Sequence, residues 1–480
     1  MRLTLLCCAG FFASVTLPLA AQRSLLTDSA SVIIAGARAA AIDSALRSEV
    51  AKGFSGVVLV ADHGTVIVRQ GYGLAVRKPA RAFVPSTVVQ IGSNTKDFTA
   101  VDILRLQEAG KLSLHDSLGK YFKDVPPDKR GITIADLLAH KSGLPLYSGL
   151  DFEPVKRDEF IARMLKMPLL FAPGTQQKYS NVGYSVLAAI IELIVGDSYG
   201  GYTNRTLWQP LGMHDTGLLL ANFDTLRLAH GYQAGEDAGT MLDKPHLEDG
   251  PPWNIRGNGG FLSTVTDMYH FYDVLFNTDR LMKPATRELK FPPDRPVALA
   301  GSDMISFFLY ERDPMAGVVL IIATNGTDYA APRAREAIAP VLGLMPMGAR
   351  RGPRVGGPSP KAAGAGAKAV PVAFPETPAG KMAAAYLRVF NSNDTALVRR
   401  FMLDSMVPNP NEGRTIEQRL SAYRGMRGQT GGITAIAIVS SSDTEIVLKA
   451  VAGNGDDITL TVTVESAAPH RIASLRIEAE

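Results

Sequence analysis

Ser93-Asn94-Thr95-Lys96 sets a hydroxyl and an amine at a spacing that can do nucleophilic chemistry. Serine alone is a weak nucleophile at neutral pH because its hydroxyl holds its proton. On a helix, a lysine three residues further on returns to the same side as the serine. An amine held there accepts the hydroxyl proton whenever it is itself neutral. The first helical turn assists, since the macrodipole disfavours the ammonium and favours an oxyanion. The chemistry this spacing allows is acyl transfer through a covalent serine intermediate. By itself the four-residue pattern is common at exposed helix starts, so its weight depends on the elements that position it.

The apolar residues after Ser93 predict such a helix: Phe98, Val101, Ile103 and Leu104 face a core, with Ser93 and Lys96 near the exposed start. Upstream, Ser31 to Glu49 reads as an amphipathic helix with Val32, Ala35, Ala39, Ile42 and Leu46 on one stripe. A hairpin follows, in which Gly56 to Val60 and Val66 to Val68 flank a turn at Asp62-His63-Gly64. Phe307 to Tyr310 and Val318 to Ala323 read as strands that arrive much later, and helical patterns fill the interval. This order predicts an α/β (α+β) fold: an antiparallel sheet, built from both ends of a domain and flanked by helices, with an inserted helical region. Beyond it, Thr377 to Phe390, Asp394 to Leu403 and Thr415 to Arg424 read as helices. Strands follow at Thr434 to Val439, Glu445 to Ala450, Ile458 to Val464 and Ile472 to Ile477. Helices followed by a meander predict a second, small α+β module.

The chain has 480 residues, enough for two or three domains, and its 46% hydrophobic content supports a large core. A formal net charge of +4, with no dense basic run interleaved with aromatics, argues against nucleic-acid binding. Arg2, the apolar stretch Leu3 to Ala20 and the small residues Ala20-Ala21-Gln22 read as a signal peptide over residues 1–21. Both cysteines, Cys7 and Cys8, lie inside it, so the mature chain is expected to lack disulfides and thiol chemistry. No second apolar run is long enough to span a bilayer, so no stable membrane insertion is expected after cleavage. Residues 346–371 are dominated by Gly, Pro, Ala, Arg and Lys and read as a disordered linker between a domain at 22–345 and the module at 372–480. The eight histidines are scattered without His-x-x-x-His spacing, which argues against a metal site. His140 reads as a structural residue, and Gly257-Asn258-Gly259-Gly260 is not a phosphate loop, lacking the Gly-Lys-Ser ending.

Tyr179-Ser180-Asn181 follows a Pro173-Gly174-Thr175 turn and opens the apolar run Val186 to Ile194. With the stretches FTAVDILRLQEAGKLSLHDSL, ITIADLLAHKSGLP, FAPGTQQKYSNVGYSVLAAIIE, LWQPLGMHDTG and GGFLSTVTDM in this order, the region from Ser31 to Gly343 resembles the class C β-lactamase and DD-peptidase family. The resemblance implies that Ser93 is the acylated nucleophile and Lys96 its amine partner. It further implies that Tyr179, as a phenolate held by nearby cations, is general base and later proton donor. Such a role is coherent chemically, since an adjacent ammonium lowers a tyrosine pKa from about 10. Asn181 matches the amide that bonds the substrate's acyl side chain and Lys96. The family's third element, a Lys-Thr-Gly or His-x-Gly strand, aligns with Leu299-Ala300-Gly301. Gly301 keeps the close approach, and the N–H of Ser302 joins that of Ser93 as oxyanion donor. The cation, however, is absent, which weakens recognition of the carboxylate that β-lactams and peptide C-termini present.

The implied function is an exported, periplasmic or extracellular, serine hydrolase cleaving an ester or amide of a small molecule or peptide, with a neutral-ended substrate favoured. No cofactor is implied, and the oligomeric state stays open. One alternative is a β-lactamase or D-alanyl-D-alanine carboxypeptidase; another is a non-catalytic binding protein on the same fold. The C-terminal module, opening with AAAYLRVFNSND, weakly resembles the ketosteroid-isomerase-like fold and lacks an obvious catalytic set, so a binding, packing or dimerising role is expected there.

Overall fold

The structure, a computed structural model, describes residues 31–219, 223–233, 236–302, 305–326, 330–346, 372–392, 394–407, 416, 419, 420, 423, 427, 431–452 and 457–479. The expected signal peptide, nearly all of the expected linker and most of the Thr415 to Arg424 helix fall outside these residues. The chain divides into two compact units, the first ending at Arg350 and the second beginning at Arg351.

The first unit is built on a six-stranded sheet of β1 (Ile33–Ile34), β2 (Gly56–Asp62), β3 (Thr65–Tyr72), β4 (Val297–Ser302), β5 (Phe307–Asp313) and β6 (Val318–Thr324), in the order β1-β3-β2-β6-β5-β4. All its pairings are antiparallel. β2 and β3 form the expected hairpin, whose turn residues His63 and Gly64 take left-handed φ angles of 47° and 79°, matching the twist of the strands. β2 meets β6 in the sheet centre with Val60 opposite Leu320 and Val58 opposite Ile322, so the two ends of the unit close on each other.

Alternation of side chains sorts the strands into two cores. Val58, Val60, Leu309, Leu320 and Ile322 lie on one face, against Ala39, Ile42 and Leu46 of α1 (Gly36–Val50). Ala334, Ile338 and Leu342 of a later helix, Ala330–Leu342, complete that layer. The predicted helix from Ser31 is shorter at its start: Ile33 and Ile34 pair with β3, and Val32 is 58% exposed. A run of β-branched residues there favours the sheet edge over the first helical turns. The opposite face carries Val57, Leu59, Phe308, Tyr310 and Ile321, covered by α2 (Thr95–Glu108), α3 (Asn181–Val195) and α4 (Val265–Asn277). Each such Val, Leu or Ile side chain, fully buried, stabilises by about 1.5–3 kcal/mol. Ser180 caps α3 by accepting the Gly183 N–H at 3.1 Å, and Gly196 ends it in a left-handed conformation. The apolar run from Val186 is buried in this layer, which accounts for its hydrophobicity.

The second unit has two helices, Pro378–Ser392 and Thr395–Ser405, followed by strands Ile433–Ser441, Glu445–Ala452, Asp457–Val464 and Ile472–Ala479. The strands form one antiparallel sheet in chain order. Tyr386 and Phe390 of the first helix share a core with Ile446, Leu448, Leu460 and Val462.

Candidate active site

Ser93 lies in a single 3-10 turn, Gly92–Asn94, that runs directly into α2. The turn keeps Ser93 and Lys96 on one side, and Lys96 Nζ donates to Ser93 Oγ at 3.2 Å. Lys96 is buried rather than near an exposed start, at 5% accessibility. Its ammonium is fixed by a second bond, to the Asn258 carbonyl at 2.7 Å. The Gly257–Gly260 segment, which carries no phosphate motif, thus serves to hold the lysine. Gly257 has φ +78° there, and a Cβ on it would stand 2.6 Å from Ala188 Cβ, so only glycine permits this approach. Burial pulls the lysine down to about 7, while the Asp97 and Asp151 carboxylates act in the opposite sense.

Tyr179, at the end of the loop leading into α3, donates its hydroxyl proton to Ser93 Oγ at 2.9 Å. The nucleophile therefore has both an amine and a phenol on it. Lys96 Nζ also lies 4.8 Å from the centre of the Tyr179 ring, and the His140 ring lies against that ring, tilted by 31° with centroids 4.5 Å apart. Although Tyr179 is 45% exposed overall, burial still pushes its phenol up to about 12, with Asp97 and Tyr147 adding and the Ser93 bond opposing. The tyrosine is thus a neutral proton donor at rest, not the phenolate the resemblance implies. His140 is held down to about 4, first by burial and then by the charges of Lys290 and Lys96. Its Nδ1 accepts the Ser180 N–H at 3.2 Å, so the neutral ring orients the Tyr179 loop, in keeping with a structural residue.

Strand β4 presses on the Ser93 turn. A Cβ on Gly301 would lie 2.1 Å from the Ile91 carbonyl oxygen and 2.6 Å from Ser93 N. Reciprocally, a Cβ on Gly92 would lie 2.6 Å from Ser302 N. Two glycines facing each other thus let the strand backbone at Ser302 and the turn backbone at Ser93 approach closely. Leu299 turns its side chain to the core on the α2 side of the sheet, so no cation comes from this strand. Asn181 is the first residue of α3; its N–H donates to the Leu146 carbonyl, and its Oδ1 is buried with no hydrogen-bond partner. The implied bond from Asn181 to Lys96 is not formed, since Asn258 takes its place.

Four contributors escaped sequence reasoning. Asp97, 7% exposed, accepts from Tyr272 Oη at 2.7 Å, and Tyr272 in turn accepts from Asn94 Nδ2 at 2.9 Å. This chain ties the α2 start to α4. Burial pushes Asp97 up to about 6 against the Tyr272 bond and the Lys290 and Lys96 charges. Asn258 and Lys290 are the other two. A pocket of about 270 Å³ opens beside the nucleophile, walled by Ser93, Lys96, Tyr179, His140, Lys290 and Leu299. Asp97 and Tyr272 carry no signal in the sequence, since each is one of several polar residues in its helix and only the fold brings the two together. Asn258 lies in a glycine-rich turn, which is a sign of close backbone approach.

An antiparallel sheet with an inserted helical region, and a Ser-x-x-Lys turn pinned between them, is the architecture of serine hydrolases that work by acylation. The chain belongs to the Beta-lactamase family, which it matches over residues 42–340. It is 31% identical over 261 residues to penicillin-binding protein 4* of Bacillus subtilis (strain 168), an overlap of 50% of this chain and 56% of that protein. It is also 31% identical over 217 residues to esterase EstB of Burkholderia gladioli, covering 41% of this chain and 54% of the esterase. The chain therefore spans a little over half the length of these relatives. In fold it is similar to a class C β-lactamase from Rhodobacter sphaeroides, with a TM-score of 0.52 at 21% identity over 62% of this chain and 98% of the other.

Proposed function

We propose that the protein is an exported hydrolase that cleaves an ester or amide through an acyl-enzyme on Ser93. The observation that carries this reading is the pair of bonds converging on Ser93 Oγ, from Lys96 at 3.2 Å and Tyr179 at 2.9 Å. Export rests on the character of residues 1–21. Lys96, lowered to about 7, is the base: its neutral amine takes the Ser93 proton as Oγ bonds the substrate carbonyl carbon. The oxyanion forms beside the N–H groups of Ser93 and Ser302. Tyr179 then gives its proton to the leaving oxygen or nitrogen as that bond breaks, and takes one back from the Lys96 ammonium. Water attacks the acyl-enzyme by the same relay, its proton passing to Lys96. Asn181, which the resemblance assigns to the substrate's acyl side, keeps its Oδ1 without a hydrogen-bond partner.

The neutral side chain at Leu299 favours simple esters over β-lactams, whose ring carboxylate lies along that strand in the family the sequence resembles. A fluorophosphonate probe tests the acylation. Labelling of the wild type that is lost in Ser93→Ala supports it, and no labelling of the folded wild type identifies a non-catalytic binding protein instead. A panel of nitrocefin, a p-nitrophenyl ester and a D-Ala-D-Ala peptide tests the substrate class. The ester is expected to turn over fastest; faster nitrocefin hydrolysis would make the protein a β-lactamase.

A further inference from the structure

Lys290 occupies an unusual position for a lysine. It lies in the segment between the short helix Pro284–Arg287 and β4, and it walls the same pocket as Ser93, Lys96 and Tyr179. Its ammonium donates to the Leu138 carbonyl at 3.1 Å and stands 6.0 Å from the centre of the Tyr184 ring. Among the described residues no carboxylate oxygen comes within ion-pair distance of it. Asp97 is near enough to act on it only through space, and Asp97 is already bonded to Tyr272. Among the described residues two of its three N–H donors thus have no partner, in a pocket whose lining mixes Asp97, Asn94 and Lys96 with Leu299, Phe291 and aromatic rings. Burial draws its pKa below the usual lysine range, with the Asp97 charge opposing. A half-buried ammonium facing a cavity is costly unless an anion completes it.

We propose that Lys290 anchors a carboxylate on the substrate, so that Ser93 acts on esters or amides whose charged end lies against the Lys290 wall of the pocket rather than along β4. The proposal rests on the acylation reading above and names its substrate class. It also revises the sequence argument: the cation missing at Leu299 is supplied by a residue nine positions earlier in the chain, from a different segment and a different direction. A purely structural role, closing the C-terminus of helix Ile134–Leu138 through the Leu138 carbonyl, is the competing account.

Two matched ester pairs separate these accounts. On the acyl side, mono-p-nitrophenyl adipate is compared with p-nitrophenyl hexanoate. On the leaving-group side, m-acetoxybenzoate is compared with m-acetoxybenzamide. The readout is the ratio of kcat/KM within each pair, which cancels general losses of activity. In the wild type the carboxylated member of at least one pair is expected to lead by about tenfold, the worth of a charge-assisted hydrogen bond. Lys290→Met and Lys290→Gln should bring that ratio to about one, and Lys290→Arg should retain part of it. A ratio near one in the wild type for both pairs, or a ratio that survives Lys290→Met, overturns the proposal. Failure of a fluorophosphonate to label wild-type Ser93 overturns the acylation reading and this proposal with it, so the two failures are told apart.

Discussion

Replacing Gly301 by alanine puts a methyl group where β4 and the Ser93 turn leave no room for one. The added Cβ would stand 2.1 Å from the Ile91 carbonyl oxygen. Carbon-to-oxygen contacts settle near 3.3 Å at the closest, so strand and turn must separate by about 1.2 Å. The neighbouring atoms, Ile91 O and Ser93 N, are backbone, and neither can rotate away as a flexible side chain would. The strain is expected to cost about 1–3 kcal/mol of stability. Its larger effect falls on catalysis, because a shift of about 1 Å moves the Ser302 N–H away from the oxyanion and costs about 100-fold in rate. The assay is kcat/KM on a p-nitrophenyl ester, paired with the midpoint of urea unfolding. Gly131→Ala serves as control, since nothing lies within 4 Å of a Cβ there. If Gly301→Ala keeps wild-type kcat/KM while remaining folded, the two N–H groups do not form the oxyanion site as argued.

Because Lys96 works as a neutral amine with a pKa of about 7, the rate of ester acylation should climb with pH through about 7 and level off above it. Asp97 raises that pKa, so Asp97→Asn should move the rising limb of the pH–rate profile to lower pH; a limb that stays in place would reassign it to the coupled pair. Tyr179→Phe keeps the ring against His140 but removes the proton donor, and kcat is expected to fall by about 10²–10⁴ in ester hydrolysis. Elsewhere, Glu311 of β5 receives two bonds from the fully buried Arg335, at 2.7 and 2.9 Å. Glu311→Gln should therefore destabilise the fold by roughly 1–3 kcal/mol in urea unfolding, since the buried guanidinium loses one carboxylate while Glu336 still pairs with it at 2.8 Å.

Much of this protein was legible in its residues, for identifiable reasons. The hairpin around His63-Gly64 was readable because its turn chemistry and its alternating apolar strands are local. The helix after Ser93 was readable because its apolar residues recur at helical spacing. The early strand Ile33–Ile34 was misread as helix because its partner, β3, lies more than thirty residues away and decides its state. Asn181 opens the apolar run that becomes α3, but the bond to Lys96 that the resemblance implies is made instead by the Asn258 carbonyl, a backbone group that no side-chain pattern reveals.

The Ser93–Lys96 pair itself was determined by sequence alone, because three positions of helical spacing suffice to join hydroxyl and amine. The tyrosine after the Pro-Gly turn was likewise visible in the sequence, through the ordered motifs around it. Only the tertiary structure decided the protonation and the charge of the site. Burial moves the Tyr179 phenol further from ionisation and leaves Lys96 able to lose its proton. Only the fold, too, set Lys290 beside Ser93, across some two hundred residues of chain, in the pocket whose own strand carries a leucine. Local spacing fixes which groups can meet along a helix. Desolvation and long-range contacts exist only once the chain has closed on itself.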